Sequence, residues 1–198
     1  MERTYEPLAS HAMPAGTDYQ QPVLAPLPFV DLDDAAADVM TDFRQVRAIT
    51  VPAAVSMDYA SERMRTNRVH LLLVTDERNT IVGLITSTDI ASERPLLHMR
   101  QFGMRRDELS VADIMTPRER IEVIEMSDVA RSQVGNVVAT LKSVGRQHAL
   151  VIDRDEHGRA IVRGLFAVSQ LNRQLGEPFL PMEMARSFAE VEMAIAHH

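Results

Sequence analysis

The sequence predicts a mixed α/β (α+β) fold built from two tandem copies of one small unit, each running strand, helix, strand, strand, helix (β-α-β-β-α). One observation is an internal repeat. Asp38-Val39-Met40-Thr41 returns as Asp113-Ile114-Met115-Thr116, an offset of 113 − 38 = 75. Met64 finds its counterpart in Leu141 and Asp76 in Asp153, both at an offset of 77, and Gly83 in Gly164 at 81. An offset that grows only at loops, notably in the longer turn Arg154 to Arg159, marks a duplicated unit with insertions. The second observation is periodicity. In each copy a helical spacing of apolar residues precedes two short apolar runs separated by a turn.

In chain order, residues 1–30 hold five of the ten prolines and no sustained apolar period, so an extended arm is expected. Val23-Leu24, Leu27 and Phe29-Val30 give that arm apolar purchase on a neighbouring subunit. The first unit spans 31–95. Asp31-Leu32-Asp33-Asp34 supplies helix-start carboxylates for a short helix through Ala35 to Met40. A first strand follows at Ile49-Thr50-Val51. Ser56 is placed to cap a helix whose one face carries Met57, Ala60 and Met64. Val69 to Asp76 reads as a buried strand, Glu77-Arg78-Asn79 as a turn and Thr80 to Ile85 as the returning strand.

Residues 96–110 form a linker with a short helix ending near Gly103. The second unit, 111–175, repeats the order: Ile121 to Ile124, a long helix with Val134, Val137, Val138, Leu141 and Val144 on one face, His148 to Asp153, Ala160 to Phe166, and a helix from Ser169. Residues 176–198 read as an amphipathic terminal helix suited to packing or dimerisation. Neither unit alone has enough residues for a comfortable core.

Composition removes several classes. The 198 residues include no cysteine, which excludes disulfides, thiolate metal sites and thiol nucleophiles. No apolar stretch approaches a membrane span, and the N-terminus lacks the apolar core of a secretion signal, so a cytoplasmic protein is expected. The net charge of −7 argues against a protein built to coat nucleic acid. Arg100, Arg105, Arg106, Arg118 and Arg120 are the residues such a role would use. Lys142, the sole lysine, lacks the glycine of a phosphate-binding Walker loop. No nucleophile-elbow motif and no histidine spacing for a metal are present, so neither catalysis nor a required cofactor is expected.

The octet Gly83-Leu84-Ile85-Thr86-Ser87-Thr88-Asp89-Ile90 carries the most chemistry. Three hydroxyls and a carboxylate meet where a strand gives way to a helix. Unpaired N–H groups at a helix start, with Thr and Ser hydroxyls beside them, can receive an anion. Asp89 can accept hydrogen bonds from two sugar hydroxyls. The structural alternative is that Thr86, Ser87 or Thr88 is only an N-cap.

With Met40-Thr41, Ile49-Thr50-Val51, Ser56-Met57, Ala60, Met64, Asp76 and the Gly83, Thr86, Asp89 ending, the chain resembles the cystathionine β-synthase (CBS) domain family. The resemblance implies a stand-alone pair of CBS domains packed sheet against sheet with pseudo-twofold symmetry and ligands in the clefts between them. By the same resemblance, Thr86 contacts phosphate and Asp89 the ribose, while Ser87 and Thr88 occupy variable positions. The resemblance places adenine between Ile49 to Val51 and Val69 to Leu71. His70, His148, Arg68 and Arg146, read as flanking matching strands, are candidate cations for the phosphate, with a hydrogen-bonded structural imidazole the alternative for each histidine.

The second unit departs from the pattern, with Ala167 where Thr86 stands and Gln170 where Asp89 stands. One complete and one crippled or repurposed site are therefore expected. Asp89→Ala should abolish adenylate binding, and Gln170→Ala should leave it nearly untouched. The implied ligands are AMP, ADP, ATP or S-adenosylmethionine. The implied assembly is a homodimer that regulates an unknown protein partner. A nucleic-acid module and a structural module with an empty cleft are the alternatives.

Overall fold

A computed structural model describes residues 12–14, 27–176 and 178. The arm expected in 1–30 lies largely, and the terminal helix of 176–198 almost wholly, outside these residues.

The first half begins with a 3-10 helix at Ala36–Val39 and strand β1, Thr41–Asp42. It continues with β2 (Thr50–Pro52), α1 (Met57–Asn67), β3 (Leu71–Thr75), β4 (Ile81–Thr86) and α2 (Ser87–Ala91). α3 (Arg94–Phe102) bridges the halves and ends on Gly103 at φ 67. The second half runs α4 (Val111–Ile114), β5 (Thr116–Pro117), β6 (Val123–Glu125), α5 (Met126–Val129), α6 (Val134–Val144), β7 (His148–Arg154), β8 (Ala160–Ala167) and α7 (Val168–Leu175). The expected strand at Ile121 to Ile124 starts two residues later. Ile121 closes a 3-10 turn at Arg118–Arg120 and packs instead among residues between the sheets. α6 has 11 residues, as α1 does, so the helix expected to be unusually long is of ordinary length.

Local chemistry accounts for these elements. Ser56 accepts a hydrogen bond from Tyr59 N at 3.2 Å and starts α1. Met57, Ala60 and Met64 are the buried stripe of that helix. Every residue of β3 is buried because the strand is covered on both sides. Leu72 and Val74 face α1, while Leu71 and Leu73 meet Leu84 and Leu150 between the two halves.

The four-stranded sheets are β2-β3-β4-β5 and β1-β8-β7-β6, so each half lends its leading short strand to the sheet of the other. Thr41 pairs with Leu165 and Thr116 with Leu84. The repeat extends to defects: β3 slips register after Val74, and β7 after Val151. The glycines of the repeated motif follow from the exchange. A Cβ on Gly83 would lie 2.6 Å from Thr116 O, and one on Gly164 would lie 2.4 Å from Thr41 O, so only glycine admits the crossing strand.

Candidate functional site

The ends of β3 and β7 meet where the two halves face each other, and three cavities surround that meeting point. One, of about 370 Å³, takes Ile49, Val69, His70 and Leu71 from the first half and Leu165, Ala167, Ser169, Gln170 and Arg173 from the second. His148 also reaches it. A second, of about 440 Å³, lies between α1 and α2 and shares Arg68, Val69 and His70 with the first. A third, of about 230 Å³, is lined by His70, Ser87, Thr88, Gln147, His148 and Ser169. The first is a suitable size for a small organic ligand and has apolar walls with a few polar groups.

Thr86 and Asp89, the residues singled out most strongly in the sequence, line none of these three cavities. They complete a capping box at the start of α2. Asp89 Oδ2 accepts from Thr86 N at 2.8 Å and from Thr86 Oγ1 at 2.6 Å, and Thr86 Oγ1 accepts from Asp89 N at 3.1 Å. Asp89 Oδ1 accepts from Arg94 at 3.2 Å. Asp89 has no exposed surface, and its carboxylate is turned toward its own helix start. Among the expected base-contacting residues, Ile49, Val69 and Leu71 do line the first cavity. Val51 is buried against α1, and the Thr50 carbonyl accepts from Arg63 Nε at 2.6 Å.

The geometry also revises which groups correspond. Ser87 N donates to His70 O, and Val168 N donates to Gln147 O. Leu71 pairs with Thr86, and His148 with Ala167. His70 therefore matches Gln147, Leu71 matches His148, and Val69 matches Arg146. The expectation that His70 matches His148, and Arg68 matches Arg146, is off by one residue. Arg68 corresponds to Gly145. Both close their helices in the left-handed conformation, at φ 55 and φ 61.

The cavities also mix the halves differently from the expectation. The first unit's strand starts face the β8–α7 junction of the second unit, which carries Ala167 and Gln170, not Thr86 and Asp89. Gln170 is held in place: its Oε1 accepts from Thr41 Oγ1 at 2.7 Å, and its Nε2 donates to Val39 O at 3.2 Å and to Gln174 Oε1 at 3.1 Å.

His70 is exposed, with Nδ1 3.3 Å from Ser87 Oγ. His148 is buried, and desolvation pushes its imidazole pKa from 6.5 down to about 4, with His70 adding to the shift. It is therefore neutral near pH 7. A histidine neutral in the fold but protonated when unfolded removes stability as pH falls through its ordinary pKa. Unfolding in urea is expected to show about 2 kcal/mol less stability at pH 5 than at pH 7. A His148→Gln variant should lose most of that slope, and an unchanged slope would contradict the assignment.

Sequence reasoning missed Arg47 and Arg173, which line the first cavity. Arg173 had a readable signal, since it lies three residues after Gln170 on the same helix face. The basic cluster considered for nucleic acid is partly neutralised: Arg105 meets Asp107, Arg106 meets Asp58, and Arg118 meets Glu119. Among the described residues, no group of three His, Asp or Glu side chains is placed to hold a metal. Nor is any helix there long and apolar enough to cross a membrane.

Two sheets that exchange their short strands, with cavities where the strands of the two halves meet, define the architecture of a paired α/β module. Residues 35–95 match the CBS domain family, and the chain has the fold of a CBS-domain pair. Solved structures share that fold at low identity. An uncharacterized conserved protein from Pyrococcus horikoshii is 22% identical, covering 72% of this chain and 92% of that one, with a TM-score of 0.51. CBSX2, solved in complex with AMP, is 21% identical over 71% of this chain and 94% of its own, with a TM-score of 0.51. A CBS-domain containing protein from Agrobacterium tumefaciens is 17% identical, covering 75% and 98%, with a TM-score of 0.52. Among curated proteins, inosine-5'-monophosphate dehydrogenase from Helicobacter pylori is 27% identical over 132 residues, 62% of this chain. The match spans 26% of that enzyme's length.

Proposed function

We propose that the protein is a non-catalytic regulatory module that binds an adenine nucleotide or related adenosyl compound in the cleft between its two CBS units. The observation carrying this reading is the cavity of about 370 Å³, built jointly by Ile49, Val69 and Leu71 of one unit and Leu165, Ser169 and Gln170 of the other. Aliphatic walls suit the faces of a purine, and backbone groups at the strand starts suit its edge. CBSX2, a protein of similar fold, was solved with AMP, which supports the same ligand class here.

The two clefts are unequal in this reading, and the roles first expected of them are exchanged. The open cleft is the one without the acid, and the complete Thr86-Asp89 motif serves as a helix cap. A ligand touching both units favours one arrangement of them, and it signals only through a difference in affinity between arrangements. Self-association belongs to the same proposal, supported by Leu97 and Phe102, which stand exposed on α3.

Titration calorimetry with AMP, ADP, ATP and S-adenosylmethionine tests the reading. Saturable heat from at least one of them is expected. No heat from any would leave a structural partner module as the better description.

A further inference from the structure

The cavity of about 370 Å³ is bordered by Arg47, Arg68 and Arg173, and no aspartate or glutamate lines it. This local excess of positive charge stands out in a chain of net charge −7. Arg47, Arg68 and Arg173 are all exposed, and none forms an ion pair with another of the described residues. Many other arginines do, including Arg94, Arg106, Arg146 and Arg163. The three come from separate elements: the loop before β2, the end of α1, and α7. They converge on one mouth.

Arg68 adds a conformational argument. It occupies the left-handed cap of α1 at φ 55, where the other half uses Gly145 at φ 61. A side chain in that region costs backbone energy that glycine avoids. An arginine kept where glycine fits better points to a task for its guanidinium. The inner wall has the opposite character, since Leu71, Leu73 and Leu165 are apolar and His148 is neutral near pH 7. Gln170 stands in place of a ribose-binding acid, and its amide is already committed to Thr41, Val39 and Gln174.

We infer that this cleft selects a nucleoside polyphosphate, with the base against the aliphatic wall and the phosphate chain held at the mouth by Arg47, Arg68 and Arg173. The inference rests on the proposed adenosyl-binding role and sharpens it. Guanidinium groups bind phosphate oxygens through charge-assisted, often bidentate hydrogen bonds, so each added phosphate gives them more to hold. A sulfonium ligand such as S-adenosylmethionine brings a positive charge to a mouth that already has three. With no acid for the sugar, discrimination falls on phosphate number.

Calorimetry of the full chain with ATP, AMP and S-adenosylmethionine, at low and high sodium chloride, decides the matter. ATP is expected to bind at least about tenfold tighter than AMP at low salt, and the gap should narrow as salt screens the exposed arginines. Arg68→Gly and Arg173→Ala should each weaken ATP about tenfold while changing AMP less than about threefold. Arg68→Gly relieves the left-handed strain, so its thermal midpoint should be no lower than that of the wild type, which separates lost binding from lost folding. Equal affinity for AMP and ATP, tighter binding of S-adenosylmethionine, or unchanged ATP binding by both variants would overturn the inference but leave the adenosyl reading intact. Absence of binding by all three compounds would remove both.

Discussion

Asp89→Ala is expected to lower the free energy of unfolding by about 3 kcal/mol and to leave adenylate affinity within about threefold of the wild type. The carboxylate has no exposed surface and accepts from Thr86 N, Thr86 Oγ1 and Arg94. Truncation would strand the half-buried Arg94, open the capping box of α2 and leave the Thr86 hydroxyl without its acceptor. Breaking a buried pair from one side costs about 3–5 kcal/mol, and the 22% exposure of the Arg94 side chain places this case at the lower end. Affinity is spared because Asp89 lines none of the three cavities described. Urea unfolding and a calorimetric titration of the same sample check both halves of the statement. A variant of native stability that no longer binds adenylate would restore Asp89 as a ligand contact.

Gly164→Ala is the second large effect, with an expected loss of about 3 kcal/mol. The added Cβ would sit 2.4 Å from the carbonyl oxygen of Thr41, a backbone atom that cannot rotate away. Relief requires β1 to lift from β8, which breaks the Thr41–Leu165 pairing joining the halves. Gly83→Ala meets Thr116 O at 2.6 Å and should show the same effect in the other sheet. Native-like stability in both variants would mean that the short exchanged strands contribute little to the union of the two halves.

The duplicated α/β architecture was legible because it rests on long-range regularity: Gly83 and Gly164 repeat, and apolar stripes such as Met57, Ala60 and Met64 face one way. The exchange of β1 and β5 was not legible. A two-residue strand has no period, and its partner is chosen by the packing of whole units. The cavity of about 370 Å³ brings the first unit's strand starts to Ala167 and Gln170 of the second, a juxtaposition across the two units that no local pattern announces. The matching of His70 with His148 had a different cause. Two like residues invite alignment, but Ser87 N bonds His70 O while Val168 N bonds Gln147 O, and a one-residue slip in a strand changes the face it presents. Thr86 and Asp89 were correctly placed at a strand-helix junction. There they hold each other in a capping box, and Arg94, five residues beyond Asp89, meets the second carboxylate oxygen in a contact with no sequence signature.

Amide chemical-shift mapping on addition of adenine nucleotide tests the central claim most directly. Binding in the open cleft should move the resonances of Ile49, Val69 to Leu71 and Ala167 to Gln170 most, with Thr86 to Asp89 affected less. Largest shifts at Thr86 to Asp89 together with Ile121 and Gln147, or none at Val69 to Leu71, would contradict the account.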